Sequence, residues 1–447
     1  MANTIVFMSD EHNPMFSNVY GHPTIRTPNM ARMAERGTVY QHAYCPSPLC
    51  CPSRSAFLSG RRVHELQAYS NCNLFVPAGH LSYGKALADQ GVHTVHIGKT
   101  DVYEPGERLG FSEMILPRDR KSPGDRNIGR SPLAIRRGAA RKGDGYGVRE
   151  DAFDLDIAVV DRALQWLEVD AAVINAPWTL TVNVLNPHPP HWNTQEYWDM
   201  YASGDLPRYG IEQESAGHPY AVDLRDHFET NGFTEEQVRG LRRGYCGNVS
   251  FVDRQLGRII DALDLAGLSE TTNLIYVSDH GDMMGKFGMW WKSSLYEDAV
   301  RVPCLAQGPD YQAGVKVHTP VDLLDVQASL FRSAGVSRPA DWVGTPLQDI
   351  PADDAERIVF SEYHGHGTRS GAYMVRNRDW KLIYYMAAPH QLFHLAADPD
   401  ELHNVFADHP EQALKLESQL RAICSPEREN ARAHQFQQCQ LKRIMIE

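Results

Sequence analysis

No stretch of this chain approaches the roughly 18 to 20 consecutive apolar residues that a membrane span requires, so no spanning helix is expected. The opening MANTIVFMSD has no basic leader, and its apolar run is too short for a secretory signal; it reads as a first strand. Cysteine is sparse: Cys45, Cys50, Cys51, Cys72, Cys246, Cys304, Cys424 and Cys439 are the only eight in 447 residues. Scattered through a long chain, they do not make a disulfide scaffold, and reduced thiols in a cytoplasm are the expectation. Positive charge is also in deficit. Lys and Arg number 44 against 56 Asp and Glu, a formal net charge of -12. Phosphate affinity rests on clustered Lys and Arg, so a nucleic-acid binder is not expected. An enzyme stays open, because a local basic pocket can sit inside an acidic protein. Compositionally simple tracts and internal repeats are absent as well.

A chain of this length, 42% apolar, can bury one large core and a smaller one. Residues 4–8 (TIVFM) form an apolar run ending in Ser9-Asp10-Glu11-His12, the pattern of a buried parallel strand with polar residues at its carboxyl end. Thr27-Pro28-Asn29 opens a helix that Gly37 closes, with Thr at the N-cap. A helix over 83–90 precedes a strand over 93–97. Further strands are predicted over 178–185 and 273–277, and a long helix over 234–265. The alternation predicts an α/β domain with a mainly parallel sheet. Four of its strands end in Asp, His or Lys, and ligands of open α/β sheets bind beyond strand carboxyl ends.

From about residue 350, short strand-like runs predict a small antiparallel sheet followed by a helix over 411–423. The expected division is therefore a large α/β domain over 1–349, a C-terminal subdomain over 350–425 and a tail over 426–447. That tail has no evident role in a monomer, which suggests packing on a second copy in a homo-oligomer. Residues 103–147, rich in Gly, Pro and Arg, read as a surface insertion. Arg126, Arg130, Arg136 and Arg137 could draw anions from it, although a merely solvated loop is the plainer reading.

The strongest local signal is Cys50-Cys51-Pro52-Ser53-Arg54, followed by Ser55-Ala56-Phe57-Leu58-Ser59-Gly60. A cysteine entering a helix N-terminus, with an Arg four residues on, sits among positive partial charge and a guanidinium. That suits a reactive thiolate; two buried cysteines before a helix are the bland alternative. The stretch resembles the sulfatase signature C-x-P-S-R-x-x-x-L-x-G, whose first Cys is oxidised to formylglycine. Cys50, not Cys51, has Pro and Arg at the matching distances. Ser9-Asp10, Thr27-Pro28-Asn29, Gly98-Lys99, Pro187-His188-Pro189, Ser278-Asp279-His280-Gly281, Trp291-Lys292 and Tyr296-Glu297 follow in the order that sulfatases show. Trp380-Lys381-Leu382 and Gln391-Leu392-Phe393-His394-Leu395 resemble the family's small C-terminal subdomain, so the likeness covers most of the chain.

The resemblance implies an alkaline-phosphatase-like α/β/α sandwich with a mainly parallel sheet and a C-terminal antiparallel subdomain. It also implies a divalent metal, Ca²⁺ or Mn²⁺, beside the formylglycine. Asp10, Asp279, His280 and the converted Cys50 match the family's ligands, and hard carboxylates with one imidazole suit either ion. Glu11 is a departure, since many members carry Asp or an amide there; direct ligation, ligation through water and no ligation all stay open. Arg54 accompanies the nucleophile. Lys99, His188 and Lys292 match residues that contact the sulfuryl group and the leaving oxygen, where fixed cations stabilise developing charge. Asn71 falls where relatives hold an Asn near the substrate.

Asp101 departs again, standing where members show His. His364 and His366 could replace that cation, against the simpler reading of exposed loop histidines. The implied reaction is in-line attack on a small anionic sulfate ester by a hydroxyl of the hydrated aldehyde, with Asp279 as proton acceptor. A formylglycine-generating (sulfatase-maturating) enzyme is then an obligatory partner. Trp192, Trp290, Trp291 and Tyr69 could wall the leaving-group side. A phosphonate monoester or phosphodiester hydrolase on the same site is the nearest rival, and an unmodified, non-catalytic binding protein the more distant one.

Overall fold

The computed structural model describes residues 1–71, 81–102, 109–118, 126–201 and 210–444. Cys72 and parts of the 103–147 insertion lie outside the described residues. The strand Asn3–Asp10 sits inside an eight-stranded sheet because its run Ile5–Met8 is apolar on both faces. Across the sheet the order is Val315–Val317, Gly37–Tyr40, Cys304–Gln307, Thr272–Ser278, Asn3–Asp10, Trp178–Pro187, His93–Lys99 and Glu113–Arg118. Cys304–Gln307 alone among these strands runs antiparallel to its neighbours. Side chains alternate across a strand, so Ile5 and Phe7 join one core with the helices Pro28–Arg36, Asp154–Gln165 and Glu235–Leu265. Val6 and Met8 join the other, with Cys50–Ser59, Tyr83–Ala88 and Leu323–Ala334. The result is a three-layer α/β/α sandwich. Among the described residues no helix is long and apolar enough to cross a membrane.

Thr234 opens the long helix as expected, exchanging hydrogen bonds with Gln237 in a capping box. Thr27 does not cap its helix. Its hydroxyl donates to Asn18 Oδ1, and the Asp253 carboxylate accepts instead from Asn29 N at 3.1 Å and Met30 N at 2.7 Å. A tertiary contact has taken over the local role. Gly37 is extended and starts a strand; a Cβ there would lie 2.1 Å from the Ala306 carbonyl oxygen, so the close strand approach requires glycine.

The strands Val359–Tyr363, Ala372–Arg376, Trp380–Tyr385 and Gln391–His394 form the antiparallel C-terminal sheet, covered by the helix Pro410–Ile423. Two sequence expectations need correction. The described part of the insertion is docked rather than simply solvated: Glu113–Arg118 extends the main sheet, Tyr146–Val148 pairs with His191–Asn193, and Arg130 is buried. The tail is a helix, Pro426–Ile444, packed on its own chain. Its inner face carries Glu429, Ala433, Gln437 and Gln440, all buried. The spacing is helical, but the face is largely polar, so a search for apolar periodicity passes over it. Asn430 Oδ1 accepts from Gly371 N at 2.7 Å and Arg130 Nη1 at 2.9 Å, while Gln437 donates to the His364 carbonyl at 2.7 Å.

Asn430→Ala would strand the two donors that Asn430 now satisfies. It is expected to cost about 2–4 kcal/mol, read as a lower urea midpoint with an unchanged slope.

Candidate active site

The strands Asn3–Asp10 and Thr272–Ser278 stay in parallel register as far as Ser9 and Ser278. The chain therefore leaves both strands at one level, and Asp10 and Asp279 stand at adjacent tips with no exposed surface. The helix Cys50–Ser59 points its N-terminus at them. Leu49 offers that helix no side-chain cap, and Asn71 supplies one from a distance, its Oδ1 accepting from Cys51 N at 3.0 Å. Ser53 Oγ donates to the Asp279 carbonyl at 2.6 Å, locking helix to strand tip. Arg54, one turn in, donates through Nε to Asp279 at 2.7 Å and through Nη2 to Asp10 at 3.3 Å. Its Nη1 reaches the Lys99 carbonyl at 3.2 Å and Asn183 Oδ1 at 3.0 Å.

Cys50 Sγ lies 3.3 Å from His280 Nε2. Burial works against a thiolate here, but Lys292, Lys99 and His280 outweigh it and hold the Cys50 thiol well below its ordinary value. Burial likewise opposes the charge on Asp10, and Lys99 leads the cations that hold it below the usual carboxylate range. His280 is raised to about 9: burial disfavours its charge, and the Asp279 carboxylate more than offsets that. Lys99 donates to Asp10 Oδ2 and lies 3.5 Å from Asp101 Oδ2. Asp101 thus stands against Lys99 and leaves no cation where the sequence comparison expects His.

Glu11 adopts φ 70° and gives its N–H to Asp279 Oδ1 at 3.1 Å. Its carboxylate sits 2.6 Å from Lys292 Nζ and 3.3 Å from His188 Nε2. Burial nevertheless raises it to about 7, despite Lys292 and His188. His188 donates Nδ1–H to the Pro189 carbonyl at 2.6 Å, which turns Nε2 toward Glu11.

One ligand atom from each of Asp10, Cys50, Asp279 and His280 falls within 4.8 Å of the other three; Asp10, Glu11 and His188 form a second such group. Asp10 Oδ1 and Glu11 Oε1 are buried without a hydrogen-bond partner. Orphaned carboxylate oxygens beside an imidazole nitrogen make a donor set that fits a divalent cation.

A cavity of about 850 Å³ opens over Cys50, lined among others by Asn71, Lys99, Asp101, His188, Lys292 and His366. All five expected catalytic residues therefore converge, with Arg54 behind the cavity wall. Trp192 and Trp291 also line it, whereas Trp290 belongs to the main core and Tyr69 is buried under the tail helix. His366 is a buried wall residue, 3.3 Å from Ser293 Oγ. His364 is not in the cavity wall and is not an exposed loop histidine. It is wholly buried, with Nε2 2.9 Å from Glu362, whose other oxygen lies 2.8 Å from His64 Nδ1. Sequence reasoning missed Arg118, Lys142, Arg149 and Phe228 in the wall. Of these, Arg118 carried a usable signal, since it ends a strand-like EMILPR run as Lys99 ends its own.

Known proteins place the chain in context. The family model described as Sulfatase matches residues 2–336, and the one described as N-sulphoglucosamine sulphohydrolase, C-terminal, matches residues 285–426. Arylsulfatase K of Bos taurus is 28% identical over 465 residues, covering 97% of this chain and 84% of the relative. Choline-sulfatase of Rhizobium meliloti (strain 1021) is 29% identical over 441 residues, covering 91% and 83%. The phosphonate monoester hydrolase of Agrobacterium radiobacter superposes with a TM-score of 0.75 at 21% identity, over 94% of this chain and 95% of that one. BT4656, in complex with its substrate D-glucosamine-2-N,6-O-disulfate, gives 0.74 at 20%, over 94% and 97%. These structural likenesses establish the alkaline-phosphatase-like fold.

The His64–Glu362–His364 cluster yields a pH prediction. Against burial, His64 first and then the His364 bond hold Glu362 well below its ordinary value, and Glu362 in turn raises His64. A lowered carboxylate contributes stability above about pH 4.5 that is lost as pH falls below it; a raised His contributes stability that is lost as pH climbs past its folded value. Glu362→Gln should therefore be less stable than the parent by most between these limits. In urea titrations from pH 3 to 9 the gap should narrow at both ends.

Proposed function

This chain belongs to the sulfatase family and is an enzyme of it, and from that premise we propose that it hydrolyses sulfate monoesters with Cys50 converted to formylglycine. The observation that carries the reading is the buried group Asp10, Cys50, Asp279 and His280, set at the floor of a cavity and ringed by Arg54, Lys99 and Lys292. Asp10, Asp279 and His280 would hold one divalent cation, Ca²⁺ or Mn²⁺, with Glu11 Oε1 as a further donor. That cation, when bound, supplies positive charge to the oxygen carried at position 50. Formylglycine there supplies the nucleophilic oxygen and a route to release sulfate without a second nucleophile.

The chain's own groups do the rest. Arg54 orients both carboxylates. Lys99 and Lys292 bring positive charge to the cavity floor, where the sulfuryl oxygens of the substrate gather charge during transfer. His188 has its Nδ1 proton committed to Pro189, so the imidazolium can give its Nε2 proton to the departing alcohol oxygen. Glu11, whose carboxylate lies 3.3 Å from that nitrogen, fixes the direction in which the ring points. Asn71 keeps the first turn of the nucleophile helix formed. Aryl phosphonate monoesters are the proper comparison substrates, because only the transferred group then changes. A cytoplasmic setting, a maturation enzyme that oxidises Cys50 and a small anionic substrate complete the proposal.

Protein co-produced with a formylglycine-generating enzyme should show the Cys50 peptide about 18 Da lighter than the thiol form, the change for conversion of a thiol to an aldehyde. It should cleave aryl sulfates faster than matched phosphonates. Cys50→Ala should lose at least about 10³-fold in kcat/KM yet unfold at a similar urea concentration. Chelation by EDTA should abolish turnover, and Ca²⁺ or Mn²⁺ should restore it. Full activity from material with an intact thiol at Cys50 would overturn the reading.

A further inference from the structure

Asp156 is buried in the first turn of the helix Asp154–Gln165, and among the described residues no cation pairs with it. Both of its oxygens are used nonetheless. Oδ1 accepts from Leu185 N at 2.7 Å, and Oδ2 accepts from Asn186 N and from Asn186 Nδ2, each at 2.8 Å. A carboxylate buried without a counter-charge is costly. What it offers here is two acceptor oxygens and no donor, which three converging N–H groups require and a Ser or Asn side chain cannot match.

Sheet register explains why those groups need an acceptor. Trp178–Pro187 pairs with His93–Lys99 only as far as Gly98 and Asn183. Against Asn3–Asp10 the register slips at the same point: Met8 faces Asn183, whereas Asp10 faces Pro187, so two steps along one strand span four along the other. Such a bulge takes ladder N–H groups away from their strand partners, and Leu185 and Asn186 lie within it. His188 stands just beyond, and its N–H donates to the Leu185 carbonyl at 3.0 Å. That carbonyl and the Asn186 N–H belong to one planar peptide unit. The unit is gripped by Asp156 on one edge and grips His188 with the other.

We propose that Asp156 is a positioning residue for proton transfer: by fixing the Leu185–Asn186 peptide, it sets where His188 presents Nε2 to the departing oxygen. This rests on the sulfate-ester reading and on the proton that His188 gives in it. Asp156 itself touches no reacting group. Its neighbours Asp154 and Leu155 line the cavity, and Asp156 turns behind the wall. A general acid acts only within hydrogen-bond reach, and a displacement of about 1 Å is enough to cost on the order of 10²-fold. The loss falls unevenly. A poor leaving group needs the proton as its bond to sulfur breaks, whereas a good one departs as the anion. A cap that served folding alone would lower turnover of both to the same extent.

The test measures kcat/KM on 4-nitrophenyl sulfate and on phenyl sulfate with the formylglycine-containing protein. The ratio of the two is internal to each preparation, so partial misfolding does not alter it. Asp156→Asn, which turns an N–H group toward the Leu185–Asn186 donors, should raise that ratio about tenfold over the parent. His188→Ala should raise it at least as far, and Asp156→Asn/His188→Ala no further than His188→Ala alone, because a residue acting through another adds nothing once that other is gone. Asp253 is the matched control: it too is buried and accepts from Asn29 N, Asn29 Nδ2 and Met30 N, at 3.1, 2.9 and 2.7 Å, but lies outside the cavity wall. Asp253→Asn should keep the parent ratio. Should Asp156→Asn not fold, Asn186→Ala, which gives up only the side-chain bond, should raise the ratio about threefold, again only while His188 is present. A parent-like ratio in the Asp156 variant, or in Asn186→Ala where that stands in, would overturn this inference alone, as would a double variant steeper than His188→Ala. A parent-like ratio in His188→Ala would remove His188 from proton transfer and this inference with it. Failure to cleave either ester would overturn the sulfate reading itself.

Discussion

Two buried carboxylates at the tips of neighbouring strands are the constraint around which this molecule is arranged. Asp10 and Asp279 have no exposed surface, and like charges at such separation repel strongly in a poorly solvating interior. Arg54 makes the arrangement tenable. Its four hydrogen bonds reach four different strands: Asp10, the residue after Thr272–Ser278, the Lys99 carbonyl and Asn183 within Trp178–Pro187. A guanidinium is always charged and presents its donors in a rigid fork. A lysine could neutralise one carboxylate but could not tie the four strands together. The helix that carries Arg54 is thereby fixed with its first residue, Cys50, over the same carboxylates. Charge compensation and placement of the nucleophile are one interaction.

The sequence made this centre legible because its residues are local in the chain. Asp10 and Glu11 end a run of apolar residues, Asp279-His280 ends another, and Cys50 to Arg54 lie within one helical turn. Such clusters can be read without knowing what faces what. Glu11 shows where reading stops. The residue type left its role open, and only the tertiary arrangement reveals that its carboxylate lies between Lys292 and His188, residues about 280 and 180 positions away. Asp101 is similar: its oddity was visible, but its partner, Lys99, is seen only when the backbone turns at Asp101, with φ 56°.

What escaped the sequence escaped for definable reasons. Thr27 had the chemistry of a cap and lost the role to Asp253, which lies on a distant helix. The tail helix was unreadable because its inner face is made of Glu429, Gln437 and Gln440, residues whose presence in a sequence normally signals solvent. His364 and His366, two residues apart, look alike in the sequence, yet His366 lies in the cavity wall and His364 turns to Glu362. Alternation would put residues two apart on one face, but the strand ends at Tyr363 and the chain bends beyond it.

That polar tail also bears on how the cavity wall stays in place. Arg130 belongs to the same insertion as Arg136, and its guanidinium donates to the His364 carbonyl at 3.0 Å and to Asn430 at 2.9 Å. The His364 carbonyl also accepts from Gln437. Apolar contacts tolerate sliding at small cost, whereas hydrogen bonds between buried groups are directional and costly to misplace. A helix bearing Asn430 and Gln437 therefore sets the register of the insertion more sharply than a greasy helix would, and the benefit falls on the residues a few positions along that line the cavity. Shells that support a site from behind decide how well its contacting groups are preorganised. The polar inner face of the tail, which hides it from a hydrophobicity scan, is the same property that suits it to hold a charged wall in position.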